Sequence, residues 1–163
     1  MCGIFGYWDR ERRPLAGEAL AAMARSLVHR GPDDEGIHHD PRRGVAVGNR
    51  RLSVIDLAGG HQPFVSDDGR IAIVQNGEIF NYVELADELR AQGVRLDSHS
   101  DTEVLLRLYE REGLDFVRRL NGMFAIAIDD AREDALILVR DRIGVKPLYV
   151  AQQGERHLFG SEI

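Results

Sequence analysis

The 163-residue chain carries 21 Lys+Arg against 27 Asp+Glu, for a formal net charge of −6, and is 44% hydrophobic and 29% charged. This composition excludes a disordered or fibrous chain. No apolar run approaches the roughly 18 residues of a membrane span, and the acidic balance argues against nucleic acid as a partner. The length suits one domain over residues 1–163, since a chain of this size buries about 70% of its unfolded surface, and no repeat or linker interrupts it. The single cysteine forms no intrachain disulfide and fits a reducing, cytoplasmic setting. Cys2–Trp8 is apolar but too short for a signal peptide, and charged Asp9–Arg13 follows it at once.

In chain order, Gly3–Trp8 predicts a strand. Leu20, Met23, Ala24 and Leu27 fall at i, i+3, i+4 and i+7, which predicts a helix stopped by Gly31-Pro32. Val45–Gly48, Leu52–Ile55 and Ile71–Gln75 read as strands, with a turn at Asp67-Asp68-Gly69. Tyr82, Leu85, Ala86 and Leu89 predict a second helix, opened by an Asn81/Glu84 capping box and ended by Gly93. A third runs from Ser100 or Asp101 to Gly113, and a short fourth covers Leu114–Leu120. Strands follow at Met123–Ile128, Leu136–Arg140, Leu148–Ala151 and His157–Phe159, the last two joined by a turn at Gln153-Gly154. Met123–Ile128 is apolar on both faces, so it is expected to be covered on both sides. Helices grouped between strands joined by short turns favour an α+β domain of antiparallel sheets with helices outside. The paired arginines Arg12–Arg13, Arg42–Arg43, Arg50–Arg51 and Arg118–Arg119 read for the most part as solvated surface. The six histidines lack metal-ligand spacing and read as surface residues, so no metal site is expected.

Cys2 is the first candidate for chemistry. A lone cysteine is most often a small buried hydrophobe, but removal of Met1 would make Cys2 the first residue. Its α-amine, with a pKa near 8, then sits beside a thiol of pKa near 8.5. One residue supplies both base and nucleophile, and no histidine is needed. Attack on a carbonyl needs an oxyanion hole. Asn76-Gly77, just past the apolar run Ile71–Val74, offers a side-chain amide and a backbone N–H. As a bare dipeptide it is the strongest hairpin signal, yet Glu78-Ile79-Phe80 leads into a helix rather than a tight hairpin. Asp101 opens a helix and reads either as a first-turn acid or as a carboxylate for a substrate ammonium. Arg51 reads either as a solvent-facing strand residue or as a clamp for a substrate carboxylate.

Met1-Cys2-Gly3-Ile4-Phe5-Gly6, His29-Arg30-Gly31-Pro32-Asp33, Arg51-Leu52-Ser53-Val54-Ile55-Asp56, Asn76-Gly77-Glu78-Ile79-Phe80-Asn81, Ser100-Asp101-Thr102-Glu103 and Arg140–Leu148 occur in that order. Together they resemble the glutaminase domain of glutamine-hydrolysing asparagine synthetase, a class II glutamine amidotransferase, over essentially the whole chain. The resemblance implies a four-layer α-β-β-α sandwich of two antiparallel sheets. It implies Cys2 as nucleophile, with Asn76 and Gly77 as oxyanion hole. Arg51 would hold the glutamine α-carboxylate, the Val54 backbone would orient the substrate, and Glu78 and Asp101 would hold the α-ammonium. Arg50 does not align with the family's Arg-Leu-Ser pattern. The expected activity is hydrolysis of L-glutamine to glutamate and ammonia, supplied for asparagine synthesis from aspartate. Alternatives are a related amidotransferase acting on a sugar or natural-product acceptor, or a non-catalytic glutamine-binding module. No cofactor is expected in this domain. The chain has no Ser-Gly-Gly-x-Asp-Ser loop, so ATP and Mg are expected only in a separate ATP-dependent synthetase domain acting in cis or trans. A homodimer is compatible with the resemblance.

Overall fold

Alternating side chains along two long strands set the architecture. In the computed structural model, which describes residues 2–53 and 59–163, β5 (Ile71–Ile79) and β6 (Gly122–Asp130) pair antiparallel from Ile71↔Asp130 to Ile79↔Gly122. Ile71, Ile73, Phe124, Ile126 and Ile128 face one way, and Ala72, Val74, Ala125 and Ala127 face the other. The large residues pack under α2 (Tyr82–Ala91), α3 (Asp101–Glu112) and a 3-10 helix (Gly113–Arg119), through Leu85, Leu105 and Phe116. The small ones meet Ile4, Val47 and Phe159 of a second sheet. Met123–Ile128 is therefore covered on both sides, as its composition predicts.

The sheet containing β5 and β6 has the order β4-β5-β6-β7, with β4 at Phe64–Val65 and β7 at Ala135–Arg140. The second has the order β2-β3-β1-β9-β8, formed by β1 (Gly3–Asp9), β2 (Asp34–Asp40), β3 (Val45–Arg51), β8 (Tyr149–Gln153) and β9 (Arg156–Gly160). Every pairing is antiparallel. Helix α1 (Gly17–Ser26) covers its outer face with Leu20 and Ala24 against Phe5, Tyr7 and Ala46. The layers run helix, sheet, sheet, helix, the expected α+β sandwich. Among the described residues no helix is long and apolar enough to cross a membrane.

Several local readings differ from the structure. β3 ends at Arg51, and Leu52 and Ser53 lie outside any strand; the rest of the expected strand Leu52–Ile55 is outside the described residues. β2 was not anticipated because its sequence, Asp-Glu-Gly-Ile-His-His-Asp, carries one large apolar residue and no alternation. It is an edge strand, held by its ladder to β3. Two-residue β4 is too short to show a period. Asn81 precedes α2 without capping it. Its side chain instead accepts from Asn121 N at 3.0 Å and donates to Arg119 O at 3.0 Å, tying the start of α2 to the end of the 3-10 helix. Ser100 does cap α3, accepting from Thr102 N. The turns at Asp67–Gly69 and Gln153-Gly154 form, with Gly69 and Gly154 at positive φ.

The arginine pairs divide. Arg12 and Arg118 are exposed, but Arg43, Arg50 and Arg51 are not. The Arg43 guanidinium donates to Asp129 Oδ1 at 2.6 Å, and so joins the β2–β3 turn of one sheet to β6 of the other. The buried Asp129 carboxylate recruits Arg43, a tertiary demand that charge spacing alone does not reveal.

Candidate active site

At one end of the two sheets lies a cleft of about 180 Å³, lined among others by Cys2, Arg51, Asn76, Gly77, Glu78 and Asp101. These residues come from the chain start, the end of β3, the second half of β5 and the first turn of α3. Six of the seven expected site residues thus converge; the seventh, Val54, lies outside the described residues.

Cys2 is half-buried, and its thiol donates to Leu52 O at 3.7 Å. Its carbonyl accepts from Arg30 Nε at 3.0 Å, and Arg30 is held in turn by Glu162 at 2.8 Å. Paired contacts from Arg30 and His29 keep the Glu162 carboxyl below its ordinary range. Two residues on, Ile4 donates to Ser161 Oγ at 3.0 Å and accepts from Ser161 N at 2.9 Å. The same hydroxyl accepts from Asn76 Nδ2 at 3.4 Å. Ser161 therefore clips the strand carrying the thiol to the strand carrying the amide. Nothing in the tripeptide Gly160-Ser161-Glu162 signals this role, because its partners are more than 80 residues away.

Asn76-Gly77 is not a turn but the interior of β5. Its geometry follows from ladder alternation. Phe124, opposite Gly77, donates its N–H to Asp141 Oδ2 and accepts from Asp141 N, so both its polar groups point away from β5. The pair is therefore a non-hydrogen-bonded one, and Gly77 N–H points to the other edge of β5. On that edge β4 reaches only as far as Ile73. Beyond it, Gln75 N–H is taken by Gln62 Oε1 at 2.7 Å and Ile79 N–H by Asp101 Oδ2 at 3.1 Å. Gly77 N–H lies between them on the cleft side. A Cβ at Gly77 would stand 2.2 Å from Met123 O, so only glycine lets β5 and β6 approach here. At Gly36 a Cβ would meet Gln62 O at 1.9 Å, and its absence lets the Gln62 segment lie against β2 and reach the site.

Asp101 is 6% exposed and Arg51 5%. Burial pushes the Asp101 carboxyl up, opposed by hydrogen bonds from Ile79 N–H, the Gln75 amide and Thr102 N–H, with nearby Glu78 adding to the rise. Buried opposite charges lining one cleft favour a ligand that carries both signs. Gln62, Gln75 and Thr102, all buried around Asp101, carry no sequence signal that singles them out. Among the described residues no group of three or more His, Cys, Asp and Glu is placed to hold a metal.

Residues 1–163 match the family model of the glutamine amidotransferase domain. The chain is 42% identical over 167 residues to glutamine-hydrolyzing asparagine synthetase 2 of Bacillus subtilis, covering 100% of this chain and 22% of that protein. It is 37% identical to a putative glutamine-hydrolyzing asparagine synthetase of Methanocaldococcus jannaschii, covering 100% of this chain and 34% of that one. The chain thus spans between about a fifth and a third of the length of these curated relatives. Among solved structures, glutamine phosphoribosylpyrophosphate amidotransferase of B. subtilis superposes with a TM-score of 0.80 at 25% identity, covering 98% of this chain and 42% of that chain. The match over the whole chain, with Cys2 present among the residues that line the cleft, places the chain in the glutamine amidotransferase domain family, in the form carried by glutamine-hydrolysing asparagine synthetases.

Proposed function

We propose that this domain hydrolyses L-glutamine to L-glutamate and ammonia at Cys2. The observation that carries the reading is the meeting of Cys2, Asn76, the outward N–H of Gly77, Arg51 and Asp101 around one cleft. After removal of Met1, the α-amine of Cys2 accepts the thiol proton. The thiolate attacks the side-chain carboxamide carbon of glutamine, and Asn76 Nδ2 and Gly77 N–H receive the developing oxyanion. The amide C–N bond breaks, ammonia leaves with a proton returned by the α-ammonium, and a γ-glutamyl thioester remains. Water, deprotonated by the same amine, cleaves the thioester to glutamate and restores the thiol. Arg51 and Asp101 read the α-carboxylate and α-ammonium, with Glu78 beside Asp101. A peptide-bound glutamine lacks both charges and is excluded.

The ammonia serves asparagine synthesis from aspartate in an ATP-dependent synthetase domain. The names of the relatives, and the fifth to a third of their length that this chain spans, support this reading. ATP and Mg act in that domain, and no step of glutamine hydrolysis uses them. The unpaired cysteine suits a cytoplasmic location.

Glutamate release is measured with protein whose intact mass shows that it begins at Cys2. Cys2→Ala is expected to fall to background, and 6-diazo-5-oxonorleucine to leave one adduct mapped to Cys2. Full activity in Cys2→Ala refutes the proposal. Glutamine binding without turnover by correctly processed protein favours a non-catalytic binding module.

A further inference from the structure

In the cleft wall, four hydrogen bonds join Gln62, Thr102 and Asp101, which line the cleft, to Gln75, which does not. Gln75 N–H donates to Gln62 Oε1 at 2.7 Å, and Gln62 Nε2 donates to Thr102 Oγ1 at 3.2 Å. Thr102 Oγ1 donates to Gln75 Oε1 at 3.2 Å, which closes a ring on the residue where it began. From the ring, Gln75 Nε2 donates to Asp101 Oδ2 at 3.0 Å. All four residues are at most 7% exposed.

The polarity of this ring follows from its first member. A backbone N–H only donates, so Gln62 must present its carbonyl oxygen to Gln75. Its NH2 then faces the Thr102 hydroxyl, which has its own proton left for Gln75 Oε1. Gln75 therefore turns its NH2 to Asp101, and Asp101 must accept. Each amide is locked against flipping by the next, and a charge-assisted bond favours the ionised carboxylate. Ile79 N–H donates to the same oxygen, so the carboxylate cannot rotate without breaking two bonds.

We infer that Gln75 is a positioning residue for substrate: the ring through Gln62 and Thr102 holds its amide so that the Asp101 carboxylate stays aimed into the cleft toward the α-ammonium. The inference rests on the proposed role of Asp101 as the ammonium ligand. Gln75 itself does not line the cleft. It acts through Asp101, whose charged neighbours around the cleft are Glu78 on β5, Arg51 on β3 and Lys146.

The test compares steady-state glutamine hydrolysis by wild type, Gln75→Leu, Thr102→Val and Asp101→Asn, each shown to be folded by circular dichroism. Two further readouts accompany it: an NMR titration of the Asp101 carboxyl carbon, and the rate of Cys2 alkylation by iodoacetamide, which has no ammonium group. The two ring variants are expected to raise KM for L-glutamine about tenfold, the scale of a lost hydrogen bond to a charged group, while kcat changes by less than about twofold. Alkylation is expected at the wild-type rate, and the Asp101 titration is expected to move up. Two ring variants guard against a folding failure in either one. An unchanged KM with an unmoved titration in a folded ring variant overturns the inference. So does an equal loss of kcat and alkylation, which marks general damage. If Asp101→Asn raises KM and the ring variants do not, the ammonium reading stands and the positioning role of Gln75 falls. If Asp101→Asn leaves KM unchanged, the ammonium reading fails and takes the inference with it.

Discussion

At the scale of single residues, the proposed reaction separates groups that act on the reacting carbonyl from groups that hold the ends of the substrate. It assigns Asn76 to the first kind. Its amide is 1% exposed and has Ser161 as a distant partner at 3.4 Å, so it is available to a stronger acceptor. Asn76→Ala is expected to lower kcat by about 10²–10³-fold with little change in KM, as expected for a donor used mainly in the transition state; steady-state glutamate release measures both. The same proposal assigns Asp101 to the second kind, and burial pushes its carboxyl above its ordinary value. It is ionised above that raised pKa and neutral below it. The KM for glutamine is therefore expected to rise as pH falls through the raised value, and the same rise is expected to be absent in Asp101→Asn. A pH-independent KM in the wild type speaks against an ammonium contact at Asp101. Cys2, Arg51, Asn76 and Asp101 were legible as candidates because each is a chemically loaded residue in an ordered motif. Gln62, Gln75, Thr102 and Ser161 were not, since a buried glutamine or serine takes its meaning from partners far away in sequence.

At the scale of elements, β5 does the decisive work. It runs past the end of β4, so its outer edge is unpaired by strand just where Gln75, Gly77 and Ile79 project their N–H groups. An unpaired strand edge inside a protein must be satisfied by other groups. Gln62 and Asp101 take two of these donors, and substrate is proposed to take the one between them. The local signal at Asn76-Gly77 pointed to a hairpin, and the nine-residue ladder to β6 overrides it. Gly77 is needed because β6 passes so close, with a Cβ contact of 2.2 Å to Met123 O and 2.6 Å to Phe124 Cα. Gly77→Ala is expected to cost about 1–3 kcal/mol through forced separation of the strands and to abolish glutamate release. A urea-denaturation midpoint and the activity assay check the two effects separately.

At the scale of the whole molecule, two sheets from distant parts of the chain must register for the site to exist. Small residues at the sheet interface, Ala72, Ala125 and Ala127, keep the sheets close, and buried charge pins them at the margin. Asp129 is 1% exposed and relies on Arg43 at 2.6 Å, with His38 at 3.5 Å. Arg43→Ala leaves that carboxylate buried without its main partner, and a loss of about 3–5 kcal/mol is expected. Chemical denaturation at neutral pH measures it. The sequence by itself determined the fold class, the three α-helices, most strands and the chemical candidates, because periodicity, turn residues and motif order are local and survive in one dimension. Only the tertiary structure decided that Asn76-Gly77 lies within a strand, that Arg43 bridges the sheets, and that Gln75 stands behind Asp101. Each of these depends on which distant backbone or carboxylate lies alongside, and that is settled only when the two sheets pack.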